Sequence, residues 1–172
     1  EQLIEKGYEF KSTTDTEVLV QLIDFYYQQN GKDLVSAVCQ ALNDAIGAYA
    51  IAVVEKENPS HLVAARQSSP MAARQSSPLV VSVGKDNLDF YIASDATPIV
   101  EHTDKVVYLE DGQIADIRVG EELNIINLEH SACHYDIKTV DLDISKLSKG
   151  GFDHFMLKEI YDQPNCLKDC MS

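Results

Sequence analysis

Apolar residues recur with two different spacings along this chain, and the change of spacing divides it into a helical part and a strand-rich part. In the first part they return every three or four positions, which predicts a helix from about Asp15 to Gln29 that ends at Asn30-Gly31. A second helix begins near Lys32-Asp33 and turns its apolar stripe inward. Ahead of both, residues 3–7 have the pattern of a helix end, and Tyr8–Phe10 that of a short strand.

From residue 48 onward the apolar positions alternate or run together, as they do in strands. The predicted strands cover 48–54, 61–65, 79–83, 88–93, 105–109, 113–119 and 123–128, with a further candidate at 134–140. Because Asp111-Gly112 is a two-residue turn signal, strands 105–109 and 113–119 are expected to pair as a hairpin. The uninterrupted apolar run over 48–54 predicts a strand that is covered on both faces.

Two shorter predictions complete the secondary structure. Residues 95–100 are expected to form a single helical turn, and Phe152–Asp162 a last helix that stops at Pro164. Runs of helices beside runs of strands, with connections too short for crossovers, indicate the α+β class.

Polar residues are dense in front of the first full helix, over Ser12–Glu17. Thr14 followed three residues later by Glu17 fits a capping box, in which the hydroxyl accepts from one free backbone N–H and the carboxylate reaches back to another. Asp15 then lies in the first turn, where the helix dipole favours negative charge. The run holds more capping groups than one helix needs, so it is interpreted either as a plain helix start or as part of a polar site.

Length and charge exclude several classes of partner. The 172 residues suit one domain, and 14 basic against 28 acidic residues leave a net charge of −14. Nucleic acid and anionic membranes are not expected as partners, because both bind basic surfaces. No apolar run approaches the ~20 residues of a membrane helix, and no secretory signal opens the chain. The four cysteines are accordingly interpreted as reduced thiols of a cytoplasmic protein.

Two other groups of residues could carry chemistry. Zinc prefers imidazole and thiolate ligands. Such side chains are found at His130, Cys133, His134, Cys166 and Cys170. They form no repeated Cys-x-x-Cys pair, so we predict no metal site and no cofactor. Ser94-Asp95 follows a predicted strand and fits the cap of a short helical turn better than a hydrolase site. Cys39 lies beside the apolar stripe of the second helix and is expected to pack there.

An eight-residue segment occurs twice in succession. Ala64–Met71 is followed at once by Ala72–Leu79, with seven of the eight positions identical. Because eight is even, the in/out alternation of a strand survives the insertion, although Ser-Ser-Pro in each copy interrupts a ladder. We expect one copy to hold the strand-and-turn position and the other to loop out.

Six motifs occur in an order that identifies a family. They are Thr14-Asp15-Thr16-Glu17-Val18, Gly47-Ala48-Tyr49-Ala50, Ala72-Ala73-Arg74 with Ser77-Pro78-Leu79-Val80, Ile92-Ala93-Ser94-Asp95, Tyr108-Leu109-Glu110-Asp111-Gly112 and Lys158-Glu159-Ile160-Tyr161-Asp162-Gln163-Pro164. With these motifs the chain resembles, nearly end to end, the glutaminase domain of the glutamine–fructose-6-phosphate aminotransferase family. The resemblance implies an Ntn-hydrolase-type four-layer αββα sandwich, incomplete because its N-terminal part is absent.

The resemblance also implies residue roles. Residues 1–164 would be the rear portion of a type 2 glutaminase domain, and 165–172 the start of a linker to a sugar-isomerase domain. The nucleophilic thiol and the oxyanion hole are expected upstream of Glu1, so the fragment alone is predicted to be inactive. The site residue that remains is Asp15, whose carboxylate would bind the α-amino group of glutamine. Thr14, Thr16 and Glu17 would support it.

The intact protein is expected to move the amide nitrogen of glutamine to fructose 6-phosphate, giving glucosamine 6-phosphate and glutamate, and to be a homodimer. Two alternatives stay open. One is a sibling amidotransferase that acts on phosphoribosyl pyrophosphate, against which the tail Lys158–Pro164 counts. The other is a non-catalytic structural or metal-stabilised interaction domain.

Overall fold

Helices precede and follow a run of strands in the structure, a computed structural model that describes residues 2–68, 78–84, 88–100, 102–140 and 151–170. The helices in these ranges are α1 (Gln2–Glu5), α2 (Asp15–Gln29), α3 (Leu34–Asp44) and α4 (Phe155–Cys170). The strands are β1 (Tyr49–Val54), β2 (His61–Gln67), β3 (Leu79–Val83), β4 (Phe90–Ala93), β5 (Lys105–Leu109), β6 (Gln113–Arg118), β7 (Asn124–Asn127) and β8 (Lys138–Thr139). The predicted α+β class is confirmed.

The described strands form two antiparallel sheets of four strands each. Sheet A has the order β1-β2-β6-β7, and sheet B has the order β4-β3-β5-β8. Ala64 of β2 lies opposite Ala115 of β6 in sheet A, and Val81 of β3 lies opposite Val107 of β5 in sheet B. Three of the six neighbouring pairs, namely β2-β6, β3-β5 and β5-β8, are therefore not consecutive in sequence.

Alternation along the strands divides the core into layers. On β2, Val63 packs towards α2 and α3, whereas Ala64 packs between the two sheets. A third apolar cluster, around Val80, lies on the outer face of sheet B with Ala96 and Ile99. The layer order is helices, sheet A, sheet B, with part of the outer face of sheet B covered by the segment after β4.

Helix α3 is the most deeply buried helix of the described residues. Its N-cap is Asp33, whose carboxylate accepts the backbone N–H of Ser36 at 3.4 Å. Seven of its eleven side chains are buried, namely Leu34, Val35, Ala37, Val38, Cys39, Ala41 and Leu42. Burial, with a smaller effect of the Asp33 charge, raises the pKa of the Cys39 thiol to about 11. The predicted packing role of Cys39 is confirmed.

The predicted hairpin at Asp111-Gly112 is wrong. The turn itself forms, because the Gln113 N–H donates to the Glu110 carbonyl at 3.1 Å and Gly112 adopts a φ of +76°. However, β5 pairs with β3 and β8, whereas β6 pairs with β2 and β7. The turn therefore carries the chain from sheet B to sheet A. A local turn signal reverses the chain, but burial against the two sheets decides which strands become partners.

The two copies of the repeated segment share one strand-to-strand connection. Residues 64–67 of the first copy end β2, and Leu79 of the second copy begins β3. The Arg66 guanidinium donates to the Leu109 carbonyl at 3.0 Å, and the Arg66 carbonyl accepts the Gly112 N–H at 2.9 Å. The first copy thus holds the strand position beside the crossing turn. The predicted looping-out falls on residues 69–77, which lie outside the described ranges.

Strand β1 is covered on one face only, contrary to the prediction from its apolar run. The side chains that pack towards the helices are Tyr49, Ile51 and Val53. Those of the opposite face are Ala50, Ala52 and Val54, and all three are exposed, Val54 at 57%. As the edge strand of sheet A, β1 extends past the cluster that fills the space between the sheets. The apolar sequence of β1 does not by itself reveal that this edge strand extends beyond the cluster between the sheets.

Helix α1 ends as predicted at Gly7, but the predicted strand at Tyr8–Phe10 is wrong. Gly7 adopts a φ of +92°, and the Tyr8 N–H donates to the Leu3 carbonyl at 3.0 Å. The Tyr8 hydroxyl donates to Asp24 of α2 at 2.9 Å. The Tyr8 N–H therefore caps the end of α1, and the Tyr8 hydroxyl holds the chain against α2. Residues 8–10 consequently pair with neither sheet.

Helix α4 continues through Pro164, so the predicted stop is wrong. Proline removes the N–H that would bond the Ile160 carbonyl. Ile160 and Tyr161 are exposed, so water can satisfy that carbonyl. The helix also crosses the predicted domain boundary at residue 164, and the division itself stays a prediction. Within the described ranges, no helix is long and apolar enough to cross a membrane.

Two short predicted segments remain. Residues 95–100 form the predicted single turn, in which the Ala96 carbonyl accepts the N–H groups of Ile99 at 3.0 Å and Val100 at 3.2 Å. The candidate strand at 134–140 is reduced to the two residues of β8 at the edge of sheet B.

Candidate functional site

Thr14 is the N-cap of α2, as the sequence predicts. Its backbone is extended, with φ −84° and ψ 142°, and its hydroxyl accepts the Glu17 N–H at 3.4 Å. The Thr14 N–H in turn donates to the Ser12 hydroxyl at 3.3 Å. These bonds satisfy donors that the helix leaves free at its start. Asp15 is the first residue of the helix proper, so it is not the cap.

The Glu17 carboxylate does not return to the cap residue, which corrects the second half of the predicted capping box. It accepts the backbone N–H groups of Lys11 at 2.8 Å and Ser12 at 2.6 Å, and the Ser12 hydroxyl also donates to it. The Lys11 N–H first, and then the Ser12 hydroxyl, hold the pKa of Glu17 below its ordinary value. Glu17 therefore fixes the loop that enters α2.

The Asp15 carboxylate is not used in this way. It is exposed at the helix start, and among the contacts of the described residues none engages it. The neighbouring backbone N–H groups and the helix dipole make this position favourable for a negative charge. An unengaged carboxylate here can take a charge-assisted hydrogen bond from a cationic ligand group.

Two open clefts meet at Asp15. The larger, of about 950 Å³, lies between α1, the residues before α2 and the first turns of α2. The smaller, of about 470 Å³, lies between α2 and the connection from α3 to β1. Both are lined by Asp15, Val18, Leu22 and Asp44. An apolar wall with a few convergent polar groups is the usual surround of a small-molecule site.

Thr16 and Asp44 complete the polar lining of the smaller cleft. Thr16, predicted as a support of Asp15, is exposed in the first turn of α2. Asp44 accepts a hydrogen bond from the Tyr26 hydroxyl of α2. Sequence reasoning missed Asp44, because it lies at the end of α3 and reaches the site only through the packing of α3 on α2.

The chain contains the dipeptide Asn-Gly at Asn30-Gly31, where the sequence predicts the end of the first full helix. Asn30 is the C-cap of α2, its N–H donates to the Tyr26 carbonyl at 2.9 Å, and Gly31 has a φ of +66°. This pair lies at the C-terminal end of α2, whereas Asp15 lies at the N-terminal end. It is a helix stop in this chain.

Two of the remaining sequence candidates, Asp95 and Cys133, contribute to turns or packing within the described residues. The Asp95 carboxylate accepts the Thr97 N–H at 2.7 Å, which holds the turn after Ser94 as predicted. The Thr97 side chain first, and then its N–H, lower the pKa of Asp95. Cys133 is half-buried beside the cluster between the sheets. Among residues with described side chains, no three of the types His, Cys, Asp and Glu approach closely enough to hold a metal ion. The side chains of Cys166 and Cys170 lie outside that description.

A buried polar group on sheet A was also missed. His61 Nε2 lies 2.7 Å from an Asp116 carboxylate oxygen, which also accepts from Arg118 Nε at 3.2 Å. His61 opposes Arg118 across β2 and β6. Such a pair has no sequence signal until the register of the strands is known. None of the three residues lines the clefts at Asp15.

The chain is similar to part of several longer proteins named glutamine–fructose-6-phosphate aminotransferase [isomerizing]. It is 55% identical over 171 residues to the protein of Bacteroides thetaiotaomicron, covering 99% of this chain and 26% of the relative. The protein of Chlorobaculum tepidum is 42% identical over 172 residues, with 99% and 26% covered. That of Methanothermobacter thermautotrophicus is 37% identical over 172 residues, with 100% and 27% covered.

The resemblance inferred from the six motifs is thereby confirmed, and the chain is homologous to about a quarter of the length of these relatives. No protein-family model matches the chain.

Proposed function

We propose that this chain is the rear portion of the glutaminase domain of a glutamine–fructose-6-phosphate aminotransferase. The complete enzyme would take ammonia from the amide of glutamine and transfer it to fructose 6-phosphate, releasing glutamate and glucosamine 6-phosphate. The names of the relatives support this activity, and identity over nearly the whole chain supports the assignment. The same names weigh against a phosphoribosyl pyrophosphate amidotransferase and against a purely structural domain.

Asp15 would bind the α-amino group of glutamine in this enzyme. The observation that carries the proposal is that its carboxylate lies at the junction of two clefts and is not engaged by the described residues. An ammonium group would find there a fixed negative charge that Thr14 and Glu17 do not need for capping. Thr14, Glu17 and Ser12 hold the backbone, and Asp15 would do the binding.

The Ntn-hydrolase-type αββα sandwich remains part of the proposal. Its support is the layering of helices, sheet A and sheet B, together with the exposed face of β1. In the complete domain, strands from outside this sequence would cover Ala52 and Val54 and would bring the thiol nucleophile near Asp15. A structure of the complete domain that leaves Val54 exposed would contradict this.

The rest of the assembly is proposed on the same basis. Residues 165–172 would begin the linker to a sugar-isomerase domain that binds fructose 6-phosphate, and two copies of the enzyme would associate. We place the enzyme in the cytoplasm, free of nucleic acid and membrane. The net charge of −14 and the free thiols of Cys39 and Cys133 support this placement. The chain by itself should release no glutamate from glutamine.

The test is the substitution Asp15→Asn in the complete enzyme. It removes the charge and keeps the size, so the loss of a charged hydrogen bond of about 1.5–3 kcal/mol should lower kcat/KM for glutamine roughly 10- to 150-fold. Ammonia-dependent synthesis should be unchanged, because it does not use the glutamine pocket. Asp24→Asn, the same exchange on an exposed residue of the same helix, is the matched control, because the amide oxygen can still accept from the Tyr8 hydroxyl. A value within twofold of wild type for Asp15→Asn would refute the role.

A further inference from the structure

Three tyrosine hydroxyls fix α2 by donating to carboxylates. Tyr8 donates to Asp24 of the helix, Tyr26 of the helix donates to Asp44, and the next residue, Tyr27, donates to Glu55. Asp44 is the last residue of α3 and is followed by residues 45–48, which lead to β1, whereas Glu55 directly follows β1. Two neighbouring tyrosines thus hold the end of α3 and the residue after β1 to the same helix.

The segment after Asp44 forms one wall of the smaller cleft at Asp15. We call residues 45–48 the wall segment. All four of its residues line the cleft, yet Ile46 and Ala48 are exposed. Gly47 adopts a φ of +137°, and a Cβ added there would meet nothing within 4 Å. Packing therefore gives this segment little support, and its position depends on what holds its two ends.

We propose that the hydrogen bond from Tyr26 to Asp44 positions the wall segment, and through it the glutamine pocket that Asp15 serves. Asp44 lines both clefts together with Asp15, so its anchoring point lies at the pocket itself. Tyr26 and Asp44 are positioning residues here, not groups that touch the reacting amide. This inference rests on the proposed function.

The bond to Asp44 is maintained over the physiological pH range. It is the largest cause, followed by burial, of a raised pKa of Tyr26, so the phenol stays protonated and keeps donating. The bond to Glu55 raises the pKa of Tyr27 to about 12 in the same way. The two tyrosines therefore make the same kind of hydrogen bond to a carboxylate, but each bond holds a different part of the chain to α2.

The experiment compares Tyr26→Phe with Tyr27→Phe in the complete enzyme. Each removes one hydroxyl and one bond to a carboxylate, but only Tyr26 is tied to the pocket. Tyr26→Phe should raise KM for glutamine about three- to tenfold with kcat within twofold, as expected for the loss of one hydrogen bond that places a binding wall. Tyr27→Phe should leave KM within about 1.5-fold, although both variants lower Tm.

Asp44→Asn distinguishes the effect of the hydrogen bond to Tyr26 from the effect of the carboxylate charge. The amide oxygen still accepts from Tyr26, so KM should rise less than in Tyr26→Phe. Asp44→Ala removes the acceptor from the other side and should match Tyr26→Phe, which keeps the test valid if the phenylalanine variant folds poorly. The inference is overturned if Tyr26→Phe leaves KM unchanged, if both tyrosine variants raise it equally, or if Asp44→Asn raises it more than Tyr26→Phe.

Failure of this inference and failure of the proposed function are distinguishable. If Asp15→Asn cripples glutamine use while Tyr26→Phe and Asp44→Ala behave as wild type, only the positioning role is wrong. If Asp15→Asn has no effect on glutamine kinetics, the proposed site is wrong, and the positioning role fails with it.

Discussion

The first turn of α2 has two sides whose carboxylates are used in opposite ways. On the side of the entering loop, Glu17 accepts from the N–H groups of Lys11 and Ser12 and from the Ser12 hydroxyl. On the side of the clefts, Asp15 makes no such bond within the described residues. Both side chains are acidic, lie two residues apart and experience the same helix dipole. The Glu17 carboxylate therefore stabilises the helix start, whereas the Asp15 carboxylate remains available to a ligand.

This difference separates two explanations of an acidic helix start. If both carboxylates served the helix, both would be expected to accept backbone N–H groups. The cap is complete without Asp15, because Thr14 accepts the Glu17 N–H and Glu17 holds the loop. Stability should therefore depend on Glu17 and Thr14, and ligand binding on Asp15.

The largest structural effect is expected from Glu17→Gln. The amide has one acceptor oxygen and no charge, so the loop before α2 should open more often. The Lys11 and Ser12 amides of the complete enzyme should exchange with deuterium about tenfold faster, whereas Asp15→Asn should leave them within twofold. Equal acceleration by both substitutions, measured by hydrogen exchange, would erase the difference between the two sides.

A smaller effect is expected from Thr14→Ala. Loss of an N-cap hydroxyl costs about 1 kcal/mol, which should raise the exchange rate of the Glu17 amide roughly fivefold. Thr14→Ser keeps the acceptor and should restore protection. Thr16→Ala, an exposed position in the same turn, is the matched control. If the control behaves like Thr14→Ala, helix propensity rather than capping explains the result.

The smallest effect is a pH dependence of the same protection. The folded state lowers the pKa of Glu17 below its ordinary value of 4.5, so its contribution is fully present above that pH and is lost as pH falls through the lowered value. Protection of the Ser12 amide, corrected for intrinsic exchange, should be constant from neutral pH to about 4.5 and fall below it. Glu17→Gln should show no such decline. A decline that persists in Glu17→Gln would assign the titration to another group.

Local pattern predicted most of the helices and strands of this fold, but not how they are arranged. The bounds of α2 and the strand at Leu79–Val83 follow from residue spacing alone. The sheet to which β6 belongs does not, because Asp111-Gly112 has the same appearance whether it joins paired strands or crosses between sheets. The exposed face of β1 depends likewise on which elements pack against it, and the course of α4 through Pro164 depends on exposure to water.

The candidate site likewise contains residues that the sequence predicts and residues that only the structure reveals. Thr14 as the cap and Asp15 as the candidate binding residue are both predicted from sequence, because capping and the family motif are local. The true partners of Glu17 and the approach of Asp44 depend on how the loop and α3 fold against α2. The spacing of residues along the chain does not predict contacts between residues that are distant in sequence. The residues that line the clefts could therefore be identified only from the structure.

The most direct measurement of the central claim combines Asp15→Asn with a change in the substrate. The complete enzyme and the variant are each assayed with glutamine and with the analogue that lacks only the α-amino group. If Asp15 binds that group, the wild type should prefer glutamine by roughly 10- to 150-fold in kcat/KM, and the variant by no more than about twofold. An equal preference for glutamine in both enzymes would show that the ammonium is recognised elsewhere and would contradict the account.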